Sequence, residues 1–133
     1  MRLTKASDYA FILLNHLNSM DGDKKTSVKE VSITCNIPKR FLANIVYRLS
    51  KAGIILSVKG MDGGIRLLKR SDEITIKDVL EVLEGDIRFV DCQIHKGVCK
   101  TEGMCAVKNF WDSKLETFMA MLDEDSFIFI LGF

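Results

Sequence analysis

The sequence predicts a mostly α-helical domain with one small β-hairpin, and three observations support that expectation. Apolar residues recur at three- and four-residue spacing along most of the chain, as they do on helices that bury one face. Only 10 of the 133 residues are Gly or Pro and 47% are hydrophobic, which excludes disordered and collagen-like chains and suits one compact domain with an appended element. Two short apolar runs flank Gly60-Met61-Asp62-Gly63-Gly64, the pattern of two strands and their connecting turn.

Taken in order, a first helix is expected over about residues 4–20, with Thr4 as its N-cap and Ala6, Tyr9, Ala10, Leu13, Leu17 and Met20 on one stripe. Asp21-Gly22-Asp23-Lys24-Lys25 is polar and turn-forming. Ser27-Val28-Lys29-Glu30 then matches a capping box, in which the Ser and Glu side chains each satisfy an orphan amide, so a short second helix should run to Cys35-Asn36. Pro38 suits the first position of a third helix, where its missing N–H costs nothing, and Gly53 is placed to end that helix in a left-handed conformation. Phe41, Leu42, Ile45, Val46 and Leu49 form its core face. The opposite face presents Lys39, Arg40, Ala43, Asn44, Tyr47, Arg48 and Lys51, cations and an amide suited to phosphates and base edges in a major groove. Strands at 54–59 and 65–69 complete the hairpin. Its glycine-rich tip lacks the Lys-Ser/Thr of a phosphate-binding loop and joins strands instead of opening a helix, so it reads as a wing. Residues 1–85 are therefore expected to be a winged helix-turn-helix.

Charge divides the chain along the same line. Residues 1–70 hold 13 Lys or Arg against 5 Asp or Glu, and the remainder holds 6 against 13, although the net charge is only +1. A basic half of this kind is expected to meet a polyanion, here double-stranded DNA. Lys39, Arg40 and Asn44 lie at the start of the third helix, where base edges are read; Arg2, Arg48, Lys51 and Lys59 are expected on phosphates or in the minor groove. The apolar stretch 127–133 is far shorter than the roughly 18 residues of a membrane span, and the chain start lacks the features of a secretory signal, so a cytoplasmic protein with no membrane partner is expected.

In that compartment the four cysteines should be reduced unless they bind metal or sense redox state. Cys92, Cys99 and Cys105 fall within fourteen residues, in a stretch (86–105) that contains Gly97, Gly103, Lys96 and Lys100 and has no helical periodicity. Such a loop can fold three thiolates around one inorganic core, with nearby lysines favouring the thiolate form. Cys35, His95, Asp8 and a residue just after Cys105 compete for a fourth position; with His95 a Cys3His zinc site is the alternative, although short Cys-x2–4-Cys pairs are missing. Cys35 reads as a small buried hydrophobe and His16 as a packed or partly exposed side chain. No nucleophile, base or carboxylate pair stands at interpretable spacing, so no enzyme is expected.

The last segment, 106–133, carries Ala106, Val107, Phe110, Trp111, Lys114, Leu115, Phe118, Met119 and Leu122 on a long helix whose aromatic and Met enrichment suits a dimer interface. The tail Phe127-Ile128-Phe129-Ile130-Leu131-Gly132-Phe133 requires cover of its own.

Four stretches together resemble one family of bacterial regulators. They are Met1-Arg2-Leu3-Thr4 with Asp8-Tyr9-Ala10, Tyr47-Arg48-Leu49-Ser50-Lys51-Ala52-Gly53, the wing from Ser57 to Gly64, and Ile74-Thr75-Ile76-Lys77-Asp78-Val79-Leu80-Glu81-Val82-Leu83-Glu84-Gly85. The family is that of the Rrf-two winged-helix transcription regulators, and the resemblance extends over about the whole chain. It implies a homodimeric repressor on a palindromic operator that senses redox state, nitric oxide or iron through an iron-sulfur cluster on Cys92, Cys99 and Cys105. Its cluster-biogenesis branch uses a histidine where this chain has Lys108, which cannot ligate iron while protonated. Its nitric-oxide-sensing branch has an Asp at the Asp8 position that reaches the partner subunit's cluster, which favours [4Fe-4S] over [2Fe-2S]. In the wing, Lys59 and Ile65 stand where the family usually has Arg and an aromatic residue. The alternative within the family is a cluster-free regulator that answers to thiol oxidation, zinc, a metabolite or a partner protein.

Overall fold

The computed structural model describes residues 2–126. Helices α1 (Lys5–Asn18), α2 (Val28–Cys35) and α3 (Lys39–Lys51) are followed by the antiparallel strands β1 (Ile55–Val58) and β2 (Gly64–Leu67). A 3₁₀ turn, Ser71–Glu73, leads into α4 (Ile76–Glu84), and then come the one-turn α5 (Asp91–Ile94), a second 3₁₀ turn (Glu102–Met104) and α6 (Ala106–Glu124). The tail 127–133 lies outside the described residues.

The helix boundaries follow from local chemistry. Thr4 caps α1 by accepting from the Ser7 amide. At α2 the Ser27 hydroxyl accepts from the Glu30 amide at 3.0 Å while the Glu30 carboxylate accepts from the Ser27 amide, the expected reciprocal pair. Asn36 closes α2 in the left-handed conformation, φ 54°, and the Ile37 amide reaches back to the Ser32 carbonyl at 3.1 Å. Gly53, φ 75°, does the same for α3, with Gly53 donating to Ser50 and Ile54 to Leu49. Pro38 sits one position earlier than expected, as the N-cap itself.

The main core lies between α1, α2, α3 and the hairpin. Leu13, Leu14, Val31, Leu42 and Leu49 are fully buried there, and Ile37, Ile45, Ile54, Ile55 and Ile65 nearly so; each contributes about 1.5–3 kcal/mol relative to exposure. Two stripe assignments change. Leu14 is core although it was not placed on the α1 stripe, because that stripe is wide enough to take adjacent residues. Phe41 is not core: it is 39% exposed, with its ring edge against Tyr9 and Arg40 stacked over it.

The β1–β2 register pairs Ile55 with Leu67 and Val58 with Gly64. Thr26, between α1 and α2, adds a bridge to Ile65, exchanging hydrogen bonds of 3.0 and 2.7 Å. A smaller cluster, Leu80, Ile87 and Leu122 with Phe11, Leu115, Phe118 and Met119 around it, packs α6 on α4. After α6 the chain returns to the start of α4, where the Ile76 amide donates to Asp125 at 2.9 Å and Thr75 bridges Ser126.

Candidate nucleic-acid interface and cysteine segment

The outward face of α3 is built as the sequence predicted. Lys39, Arg40, Asn44, Tyr47 and Lys51 are all exposed, while Leu42, Ile45, Val46 and Leu49 anchor the helix from behind. No side chain caps its first amides and no acid stands in its first turn, so Lys39 and Arg40 lie at the positive end of the helix dipole. This arrangement costs helix stability and leaves orphan N–H groups beside two cations, a combination suited to a phosphate. Lys51 lies over the Tyr47 ring at 5.6 Å, which holds both side chains outward along the same face.

Arg48 departs from the expectation. It is half-buried, and its Nη2 donates to the carbonyl oxygens of Val82 and Leu83 at 2.6 and 2.9 Å, the last-turn carbonyls of α4. The side chain that was expected on DNA is thus engaged inside the fold, satisfying helix-end acceptors that would otherwise lack a partner. Lys59 is exposed where the wing leaves β1. The wing tip is held from below, because Lys25 donates to the Asp62 carbonyl at 2.8 Å, and its turn closes with Gly63 donating to Gly60. A Cβ at Gly63 would stand 2.2 Å from the Val58 carbonyl oxygen, so this position admits only glycine. Sequence reasoning missed Lys25; the basic pair it forms with Lys24, in the turn after α1, was the available signal.

Arg2 is exposed and shares a shallow depression with Leu3, Thr4, Lys5 and Asp8, so the amino-terminal cation and the acid of the first α1 turn face the same region. Just inside it, the Glu84 carboxylate accepts from the Thr4 amide and hydroxyl, both at 2.8 Å, and from the Ser7 hydroxyl at 2.6 Å. These bonds, the Ser7 hydroxyl first, hold the Glu84 carboxyl below its ordinary range.

The cysteine segment starts at Gly85, whose φ of 74° and ψ of −148° suit glycine alone, and it is more structured than expected. Cys92 lies in α5, Thr101 precedes the 3₁₀ turn, and Cys105 supplies the residue from which α6 departs. Gln93, 93% buried, organises the beginning. Its Oε1 accepts from the Phe89 and Val90 amides and its Nε2 donates to Asp112 at 3.0 Å, while Asp112 also pairs with Lys108. The Lys108 hydrogen bond is the main cause of the lowered Asp112 carboxyl, and the same bond raises Lys108.

All four thiols are free; Cys99 is exposed, and Cys92 and Cys105 are half-buried. Hydrogen bonds from the Thr101 side chain and then its backbone lower the Cys99 thiol. Three soft donors on one segment, beside Lys96, Lys100 and Lys108, suit a thiophilic metal or an iron-sulfur cluster by donor chemistry. Among the described residues no three His, Cys, Asp or Glu side chains are gathered closely enough to hold one ion, so the ligating arrangement is not preformed. Of the competing fourth positions, Asp8 is exposed on the first turn of α1 and His95 is exposed at the end of α5. Cys35, expected to be buried, is only partly so: it packs against the main core at the end of α2, and burial raises its thiol.

Among the described residues no helix is long and apolar enough to cross a membrane. The Rrf2 model, described as iron-dependent transcriptional regulator, matches residues 3–128. A helix-turn-helix-type transcriptional regulator NsrR from Geobacillus kaustophilus is 35% identical over 92% of this chain and 84% of its own. In structure the chain is similar to the global cysteine regulator CymR of B. subtilis, with a TM-score of 0.69 at 25% identity, covering 96% of this chain and 93% of that one. It is also similar to IscR of T. potens, at 0.75 and 21%, covering 99% and 87%.

Proposed function

This chain belongs to the Rrf2 family and is a winged helix-turn-helix transcriptional regulator, and from that premise we propose a cytoplasmic homodimeric repressor that reads a palindromic operator and answers to a signal through an iron-sulfur cluster. In this reading residues 1–85 bind DNA, 86–105 sense and 106–133 dimerise. Lys39, Arg40 and Asn44 take base edges and the phosphate at the start of α3; Arg2, Lys51 and Lys59 take flanking phosphates or the minor groove. Arg48 holds α3 in place from inside. The exposed apolar face of α6, with Val107 64% and Phe110 53% exposed, supports pairing with a second copy.

Cys92, Cys99 and Cys105 would hold the cluster, with Asp8 of the partner subunit as fourth ligand and [4Fe-4S] the favoured form. The bound cluster would supply the reactivity toward oxidants, nitric oxide or iron supply by which the signal is read. What the chain itself supplies is a Cys99 thiol lowered by Thr101, a pinned start of the segment through Gln93 and Asp112, and an acid on α1. The observation that carries the reading is that three free thiols share one short segment of a chain whose other half is an exposed recognition helix and wing.

Anaerobic purification with iron and sulfide analysis and a visible spectrum tests it, repeated on Cys99→Ala. Iron and sulfide in about equal amounts, lost in the variant, are expected for Cys-held clusters. Zinc without sulfide, or a colourless metal-free protein, would replace the cluster with zinc or a thiol switch and leave the DNA reading intact.

A further inference from the structure

The end of α4 is where three parts of the molecule meet. From one side, Glu84 receives three hydrogen bonds from Thr4 and the fully buried Ser7, which fixes the first turn of α1. From the other, Arg48 of the recognition helix grips the Val82 and Leu83 carbonyls. One residue later, Gly85 turns the chain into the cysteine segment with a backbone conformation that only glycine adopts readily. Asp8 belongs to the same first turn, its amide donating to the Thr4 carbonyl at 3.3 Å.

We propose that residues 82–85 are the joint through which the cysteine segment and the start of α1 set the placement of the recognition helix, with Glu84 and Arg48 as its positioning residues. The joint has short bonds on both sides and no slack between them, because Leu83, which carries one of the gripped carbonyls and adjoins Glu84, is itself in the core. A displacement of the segment after Gly85, or of the α1 turn carrying Asp8, is therefore passed to the carbonyls that Arg48 holds. Coupling between distant sites travels through contiguous hydrogen-bonded and packed groups, and the Glu84 Oε1 with its three donors and the Arg48 Nη2 with its two carbonyls form such a run along the end of α4. The part of this inference that concerns the signal rests on the cluster reading given above; the mechanical part does not.

Two measurements on Glu84→Gln and on the milder Ser7→Ala, which guards against loss of folding, test it. The first is amide hydrogen exchange on cluster-free protein. Faster exchange is expected at residues 4–8 and, together with it, in the α3 turn that carries Arg48; acceleration confined to residues 4–8 overturns the joint. The second is operator affinity by fluorescence anisotropy with and without the cluster. Coupling of ordinary size gives the parent protein a ratio of about 5- to 150-fold between the two forms. In the variants this ratio, measured at matched iron and sulfide content, should fall toward one, and a ratio equal to the parent's overturns the proposal. If the parent itself shows no ratio, the sensor reading has failed, and the exchange experiment alone decides for or against the joint.

Discussion

Glu84 and Glu30 both act as acceptors for the start of a helix, and both carboxyls lie below their ordinary range, Glu84 chiefly through the Ser7 hydroxyl and Glu30 chiefly through Thr26. A carboxyl lowered by folding stabilises the native state above its unfolded pKa of about 4.3 and loses that contribution as the pH falls through the folded value. Thermal stability should accordingly be flat near neutrality and drop below about pH 4.5, and Glu84→Gln should blunt the drop; an unchanged acid limb in that variant would argue against the assignment. Lys39 illustrates the opposite bargain. As a cation in an uncapped first turn it works against the helix dipole, so Lys39→Ala should raise stability by about 0.3–1 kcal/mol in a thermal melt. The same change should weaken binding to all DNA sequences and reduce the salt slope by about one. Asn44→Ala should instead cost about 1–3 kcal/mol on operator alone, measured against non-operator DNA.

The elements were legible in the sequence wherever local chemistry decides them. The Ser27 and Glu30 box, the left-handed Gly53 and, apart from Phe41, the apolar face of α3 are short-range signals, and the structure has them where they were expected. Arg48 could not be read this way, because its partners are carbonyls 34 and 35 residues further on and nothing in the spacing of α3 distinguishes it from Lys51. Phe41 has helical periodicity but lies at the rim, exposed beside Tyr9 and Arg40. The turns at 91–94 and 102–104 were missed because each is too short for periodicity, and the first is held from a distance, by Gln93 on Asp112. The hairpin yields a sharper test. Adding a methyl group at Gly63 drives it into the Val58 carbonyl, so Gly63→Ala should destabilise the protein by about 1–3 kcal/mol and lower DNA affinity while leaving the α3 face chemically intact. Equal stability and affinity in this variant would show that the wing turn opens freely enough to take a side chain.

For the molecule as a whole, the long carboxy-terminal helix leaves much of its apolar surface uncovered. Leu122 is its buried residue, and Phe110, Val107 and Met121 are more than half exposed, although Trp111 packs edge-on against Phe89 and Phe110. A surface of this kind is expected to be shared with a second chain. Phe110→Glu should yield a monomer in analytical ultracentrifugation at concentrations where the parent is a dimer, and should cut operator affinity because two half-sites then bind independently. A dimer that survives the change would move the interface elsewhere. The division into a basic and an acidic half was visible in charge alone, whereas the bond that ties the start of the cysteine segment to α6, Gln93 on Asp112, is a long-range contact that no composition reveals.

The grip of Arg48 on the last carbonyls of α4 has one more consequence, which concerns the operator as a reagent. Binding free energies that share a joint are reciprocal: whatever factor the occupied cysteine segment imposes on DNA affinity, DNA must impose on the segment's hold on its ligand. A regulator bound at its promoter and one free in solution would then differ in how readily they give up that ligand, so the occupancy of a promoter would itself tune the sensitivity of the molecule sitting on it.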